Sequence, residues 1–484
     1  MADSEFRAYE YISRGFAGLG WDRRNPTKGG AVYVQGEFRQ HDETLASALG
    51  RLTPENIVIF QCVSKTYYWV IEAKNAIHSV DEALHEAKEY AEKINLQLTS
   101  IGEAPRALLA TGVAGSPDES ILISTAFWDG KTWRDVRINN YIVTGFISKS
   151  QCIEIVENNS PDVGGYEVNL DEFLRKANQI NGTLYSNGVA NRDRARIVAG
   201  LLLSLVQDNN MNLSSEPATL VQDINNRIEA LLRKHAKLDF FDEVTLRLPA
   251  TNENHHKYRQ AVIKTLQYLR EMNIRSAINS GTDALSQFYE TFLKYANDAN
   301  EMGIVLTPRH ITRLAATVLG VSPNDTVYDP TCGTGGFLVA ALDHVRTKFP
   351  TNDTNHLEEF GNNNLYGIEQ ADNVYCLGLV NMIFRGDGSS QLYSGNCFDN
   401  RFEKVNGKIK KLPASGDNQK KGAGPFTRVF MNPPFALSDK ETAFVDHALQ
   451  QTAPNARVFA ILPNNPVTGA NEQGWRKALL RDIP

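Results

Sequence analysis

Asn432-Pro433-Pro434-Phe435 follows an apolar run, Arg428–Met431, that reads as a strand, and it gathers groups suited to a weakly nucleophilic amine. The exocyclic nitrogen of adenine is such an amine, because its lone pair is delocalised into the ring. Acceptors on its two N–H groups, here the Asn432 carboxamide oxygen and the Pro433 carbonyl, return electron density to nitrogen as a bond to carbon forms. Pro434 completes the turn, and Phe435 offers an aromatic face to a base taken out of the duplex, which offsets part of the cost of extruding it. Holding the nitrogen in line with a methyl donor supplies the remaining advantage, so no protein nucleophile is needed. The tetrapeptide reads as catalytic.

A methyl donor needs its own site. Asp329-Pro330-Thr331-Cys332-Gly333-Thr334-Gly335-Gly336-Phe337 lies between an expected strand and an expected helix, where sheets of this kind bind their ligands. Glycines let backbone approach a ligand closely, and helix-terminal N–H groups can hold the amino-acid carboxylate of S-adenosyl-L-methionine much as they hold phosphate. Taken alone, the loop fits a dinucleotide site or a plain strand-to-helix turn as well. Glu369, after the next strand, is placed to accept from ribose hydroxyls, or else is a surface glutamate at a strand end. The Asn432 tetrapeptide decides for the methyl donor.

A second constellation lies near the amino terminus. Pro54-Glu55 opens the strand Asn56–Cys62, and Glu72-Ala73-Lys74 closes the next, Tyr67–Ile71, so two acids and a lysine converge at adjacent strand ends. Glu55 and Glu72 can hold Mg²⁺, which prefers oxygen ligands, while Lys74 can orient or activate water and stabilise the charge of phosphate-ester cleavage. Surface ion pairing is the other meaning of such a triplet.

The elements that position these groups follow from pattern. Of 484 residues, 1–150 read as a small α/β domain, 151–300 as a mainly helical connector and 301–484 as a doubly wound, Rossmann-like α/β sheet. In the first, Ser79 and Glu82 predict a capping box opening a helix through Ile94, and Asp129-Gly130 a tight turn. Helical spacing recurs at Ile197–Val206, Leu220–His235, Tyr258–Met272 and Leu285–Ala296. In the third, Thr307 is the expected N-cap of a helix from Pro308 to Leu319, closed by Gly320. Strands are expected at Thr326–Tyr328, Leu365–Ile368, Leu392–Tyr393, Arg428–Met431 and Arg457–Leu462, with helices at Phe337–Thr347 and Asn373–Phe384. The absence of a long apolar run, and of a signal-like start, predicts a soluble, cytoplasmic chain with no membrane contact. Five scattered cysteines, none in a Cys-x-x-Cys pair, argue against disulfide or zinc frameworks. With a net charge of −6, DNA contact must come from local patches; Lys404, Lys408, Lys410, Lys411, Lys420 and Lys421 form the clearest, either as a DNA contact or as a solvated loop.

On these motifs Leu306 to Pro463 resembles the modification subunits of type I restriction systems and related gamma-class N6-adenine DNA methyltransferases. Thr307-Pro308-Arg309, the glycine loop, Tyr366-Gly367-Ile368-Glu369-Gln370, Asn381-Met382 and the Asn432 tetrapeptide stand in the family's order. The resemblance implies cofactor contacts from Thr307, Asp329, Pro330, Thr331, Gly333, Thr334, Gly335, Gly336, Phe337 and Glu369, and contact with the cofactor's adenine from Asn396, Cys397 and Phe398. Asn396 stands where many relatives carry aspartate. The family's final strand pair is expected beyond Pro484, so the sheet reads as incomplete.

Ser4 to Ile94 resembles the PD-(D/E)xK nucleases, with Glu5 or Glu10 on an opening helix, Gly20-Trp21-Asp22 after it, and Glu86 and Tyr90 one turn apart behind the acidic set. Glu55 replaces the usual aspartate and Glu86 the usual glutamine. Together the resemblances imply a restriction-modification polypeptide that acts on double-stranded DNA with S-adenosyl-L-methionine and Mg²⁺. They also imply a separate specificity subunit in a hetero-oligomer. A modification subunit whose nuclease-like domain only binds DNA, and a DNA-sensing component without turnover, are the alternatives.

Overall fold

The sheet that carries the glycine loop is fully parallel, in the order β12-β11-β10-β15-β16. Its strands are β10 (Val327–Asp329), β11 (Leu365–Glu369), β12 (Gln391–Ser394), β15 (Phe426–Met431) and β16 (Thr452–Ala460). In this computed structural model the described residues are 10–116, 120–164, 170–206, 213, 216–278, 288, 291–292, 307–349, 354–384, 391–414, 421–434 and 440–482. Two compact units result, one from 1–188, 207–222 and 248–284, the other from 189–206, 223–247 and 285–484. Among the described residues of the stretch expected as a helical connector, the regular elements are helices apart from the short strand β9 (Asp162–Val163), and these helices are divided between the units.

In the second unit every expected strand is present within a few residues of its expected position, the largest shift being the earlier start of β16. Alternation along each strand sends side chains to opposite faces: Val327, Leu365 and Phe430 join one core, Tyr328, Tyr366 and Val429 the other. Parallel strands buried on both faces need helices on both, and Gly336–Arg346, Asp372–Phe384 and Glu441–Gln450 supply them. The strand order reverses at β10, whose neighbours are β11 on one side and β15 on the other. The helix expected from Pro308 is Arg309–Leu319, with Gly320 in the left-handed conformation at its end. Pro308 is its N-cap residue and makes no side-chain cap, so Thr307 does not cap the helix as expected; its hydroxyl is engaged elsewhere.

The lysine-rich stretch, expected to lack regular structure, is a hairpin of β13 (Asn400–Val405) and β14 (Lys408–Pro413). Asn406 (φ 52°) and Gly407 (φ 81°) make its two-residue turn, the pair of positive φ values that twisted hairpins favour. Phe402 anchors it in the core against Tyr328 and Phe426, while Lys404, Lys408 and Lys410 are exposed. Lys421 pairs with Asp446 at 2.8 Å, and Lys420 lies outside the described residues.

The first unit is built on a six-stranded sheet in sequential order: β1 (Val32–Val34), β2 (Asn56–Cys62), β3 (Lys65–Lys74), β4 (Ala107–Ser116), β5 (Ser120–Trp128) and β6 (Trp133–Asp135). Beside it, β9 forms a small sheet with β7 (Arg137–Ile138) and β8 (Tyr141–Ile142). Within the six-stranded sheet β3 and β4 pair in parallel and the other described neighbours antiparallel, and the helix Val80–Ser100 makes the crossover between β3 and β4. That helix begins without a side-chain cap from Ser79, so the expected capping box does not form. Its backbone presses on β4 at Gly112, where a β-carbon would sit 2.4 Å from the Leu84 nitrogen and 2.6 Å from the Val80 oxygen. Gly112→Ala should therefore lift the helix off the sheet and cost about 1–3 kcal/mol, the usual range for overpacking. Urea unfolding should show a lower midpoint; an unchanged midpoint would contradict this packing.

Candidate active site

Reversal of strand order opens a crevice at the carboxyl ends of β10, β11 and β15, and the groups singled out in this unit lie along it. Asp329 ends β10 and is 1% exposed; one carboxylate oxygen accepts from the Thr331 N–H at 3.1 Å. Burial pushes its carboxyl up to about 8, a rise that the Thr331 N–H opposes and the charge of Glu369 adds to. Glu369 ends β11. One oxygen accepts from the Gly333 N–H at 2.9 Å, the other from the Ala371 N–H at 2.8 Å, and burial raises its carboxyl despite these bonds. The glycine loop is thus tied to the adjacent strand by a side chain.

The loop's conformation needs its glycines. Gly333 has φ 55° with open space around it, and Gly335 has φ 79° as the N-cap of Gly336–Arg346, a helix start with no side-chain cap. Thr334 is buried, Pro330 is buried, and the Thr331 hydroxyl is buried without a hydrogen-bond partner among the described residues. Phe337 lies in the core, stacked on Phe430 at 5.4 Å, so only its backbone faces the loop. Two residues beyond the motif hold the loop from behind. A β-carbon on Gly378 would meet the Gly333 oxygen at 2.9 Å, and Asn381 donates to the Thr334 oxygen at 3.0 Å. Both lie on the helix Asp372–Phe384, three residues and so about one turn apart on the same face; Asn381 was visible as a motif, Gly378 was not.

After β12, Asn396 accepts from the Phe398 N–H at 3.0 Å and caps the turn Cys397–Asp399. An aspartate would cap the same turn with its oxygen; asparagine keeps an N–H₂ donor as well. Cys397 is buried in the core, and the half-buried Phe398 packs its ring against Phe444 at 4.7 Å.

At the end of β15, Asn432 donates from Nδ2 to the Thr307 hydroxyl at 3.0 Å. Its carboxamide oxygen is buried and has no hydrogen-bond partner among the described residues. Pro433 is buried and Pro434 half-buried, while Phe435 lies outside the described residues. The donor set suits a ligand bearing both charges. Two desolvated carboxylates favour cationic groups such as a sulfonium and an ammonium, and the uncapped helix start favours a carboxylate.

In the other unit the expected acids do converge. Register sets Asn56 opposite Ile71, so Glu55 faces Glu72, and the Glu55 N–H donates to Glu72 at 3.3 Å. Glu55 is 8% exposed and Asn56 1%, with the Asn56 carboxamide oxygen buried and without a hydrogen-bond partner among the described residues. Lys74 pairs with Glu86 of the crossover helix at 2.6 Å. Burial first, and Glu86 second, push Glu72 up to about 7. A divalent cation would supply the charge this carboxylate lacks, and the oxygen donors suit Mg²⁺ with water completing its shell. Among the described residues no group of three or more His, Cys, Asp or Glu side chains is arranged to hold a metal. Glu10 is exposed and pairs with Arg14, Asp22 pairs with Arg24 at 2.6 Å, and Glu5 lies outside the described residues.

Residues 280–483 match the sequence model of the N-6 DNA Methylase family. The chain is 36% identical to the type II restriction enzyme and methyltransferase RM.BcgI of Heyndrickxia coagulans over 44% of this chain and 32% of that one. It is 26% identical to the methylase subunit of the type I restriction enzyme EcoEI of Escherichia coli over 40% of this chain and 39% of that one. It thus spans well under half the length of these curated relatives. A methyltransferase subunit of a type I restriction-modification system from Streptococcus thermophilus overlays with TM-score 0.41 at 16% identity, covering 64% of this chain and 78% of that one. That overlay is too loose to add to the strand order. No helix among the described residues is long and apolar enough to cross a membrane.

The raised Glu72 carboxyl makes stability depend on pH. Between 4.5, its ordinary value, and about 7, the folded chain keeps a proton that the unfolded chain has lost, so stability falls as pH rises through that window. The loss should reach on the order of 3 kcal/mol above pH 7. Glu72→Gln, neutral throughout, should match the wild type at pH 5 and exceed it at pH 8 in thermal unfolding of this unit. Equal stability at both pH values would refute the burial argument.

Proposed function

We propose that the second unit methylates adenine N6 in double-stranded DNA. The observation that carries this reading is the carboxamide oxygen of Asn432 at the carboxyl end of β15, buried with no hydrogen-bond partner among the described residues. Leaving such an acceptor unpaired costs about 1–3 kcal/mol, a cost that a substrate amine can remove. S-adenosylmethionine, when bound, supplies the methyl group. Asp329, Glu369, the glycine loop from Pro330 to Phe337 and the Asn396–Phe398 turn hold it on one side of the crevice. Asn432 and the Pro433 carbonyl accept from the two amine hydrogens on the other, and Phe435 stacks on the base. Acceptors so placed strengthen as positive charge develops on nitrogen, which makes them selective for the transition state. The match to the N-6 DNA Methylase family supports the reading.

For the first unit we propose a Mg²⁺-dependent nuclease, with Glu55 and Glu72 as metal ligands and Lys74 as the group that orients water and stabilises phosphate charge. Support comes from their convergence at adjacent strand ends and from RM.BcgI, which is both restriction enzyme and methyltransferase. A specificity subunit, as in type I systems, would provide target reading in a hetero-oligomer.

Asn432→Ala should abolish methyl transfer to DNA, by at least about a hundredfold, while leaving S-adenosylmethionine affinity within a few-fold. Near-normal transfer by this variant in an active assembly would sink the assigned role. Glu72→Ala or Lys74→Ala should remove DNA cleavage and spare methylation, and chelation should mimic either. A partnered wild type that methylates but never cuts with Mg²⁺ would reduce the first unit to a DNA-binding domain.

A further inference from the structure

We propose that Thr307 is a positioning residue that sets the rotamer of the Asn432 carboxamide, so that its oxygen and not its nitrogen faces the target amine. This rests on the methyltransferase reading above. A carboxamide is nearly symmetric in shape, and a half-turn about its last bond exchanges an acceptor for a donor. With the donor facing the amine, Asn432 would oppose two N–H groups with a third and withdraw the acceptor that the reaction needs. A hydroxyl can accept from the nitrogen end or donate to the oxygen end, so what Thr307 contributes is the orientation found in the structure, in which it takes the nitrogen end.

In the structure the Thr307 hydroxyl oxygen takes the Nδ2–H at 3.0 Å, and Oδ1 is left buried with no hydrogen-bond partner among the described residues. Thr307 sits just before Pro308 and the helix Arg309–Leu319, 125 residues from Asn432 in sequence. Its side chain is released for this task because the helix carries no side-chain cap. The packing supports a fixed geometry: Thr312 and Ala316 of that helix are buried, and Arg309 pairs with Asp343 of the helix that follows the glycine loop, at 2.9 Å. The helix is thereby tied to the helix that the glycine loop opens. Thr307 thus coordinates the two halves of the crevice through Asn432, a role distinct from contact with the cofactor.

The test compares the full chain with Thr307→Val, which keeps the shape and removes the hydroxyl, and Thr307→Ser, which restores it. Selective ¹⁵N labelling of asparagine reports the hydrogen bond directly, the Asn432 side-chain resonances being assigned by their absence in Asn432→Asp. Those resonances should match in wild type and Thr307→Ser, and should shift and exchange faster with solvent in Thr307→Val. Single-turnover transfer from tritiated S-adenosylmethionine to DNA lacking methylated adenine should fall roughly ten- to a hundredfold in Thr307→Val at saturating cofactor, a larger change than any in calorimetric affinity for the cofactor. Thr307→Ser should recover most of the rate. Unchanged resonances in Thr307→Val, or a rate equal to wild type, would overturn the proposal; so would an equal loss in both variants or a loss confined to cofactor affinity. Absence of transfer by every protein, wild type included, would instead count against the methyltransferase reading, and the resonances would still decide the hydrogen bond.

Discussion

Reversal of strand order at β10 is the constraint from which the second unit's chemistry follows. From β10 the chain runs to β11 and β12 on one side and then returns to β15 on the other, and in sheets of this kind such a reversal leaves a crevice at the carboxyl ends. Asp329, Glu369 and Asn432 are the residues that end these three strands or follow directly upon them. They are separated by up to 103 positions in the chain, yet the pairing of three short strands lines them along one edge. The glycine loop between them then has little freedom, because Glu369 grips it from β11 while Gly378 and Asn381 back it from a helix.

Both units keep carboxylates where burial disfavours charge. Asp329 and Glu369 in one, and Glu72 in the other, have carboxyls raised above their ordinary values mainly by loss of water. Such groups weaken a fold at neutral pH, and they are retained most economically where a cation returns the lost interaction. On the proposed reading that cation would be the cofactor's sulfonium and ammonium in the crevice, and a divalent metal in the amino-terminal set. The two sites thus share one electrostatic logic and differ in what completes them.

The glycine loop and the Asn432 tetrapeptide were legible in the sequence because each is a local constellation whose residues are adjacent and whose chemistry is unusual. The parallel sheet was legible for a similar reason, since apolar runs bounded by loops recur at strand-and-helix spacing from Val327 to Ala460. Contacts over long separations were not. Thr307 has the composition of a helix cap and was read as one; only the folded chain shows its hydroxyl taken by a carboxamide 125 residues away. Gly378 has no local signature, because its need for a missing β-carbon arises from the Gly333 oxygen brought against it. The β13–β14 hairpin was a different failure. Asn406-Gly407 is a strong turn signal, but the flanking lysines masked the alternation that Phe402 and Ile409 share on the inner face. In the other unit the pairing of Lys74 with Glu86 joins residues from the sheet and the crossover helix, a contact that sequence spacing brought near and the parallel β3–β4 connection secured.

The central claim is that the crevice around the glycine loop is a site for S-adenosylmethionine, and calorimetric titration of the cofactor into the purified chain without DNA tests it most directly. Saturable binding at one site per chain is the predicted result, with loss of that binding in Gly333→Asp. That variant has room for its side chain at a positive φ that strains aspartate less than most residues, so it adds charge beside Glu369, and circular dichroism checks that it is folded. No binding by a folded wild type, or equal binding by the variant, would contradict the account.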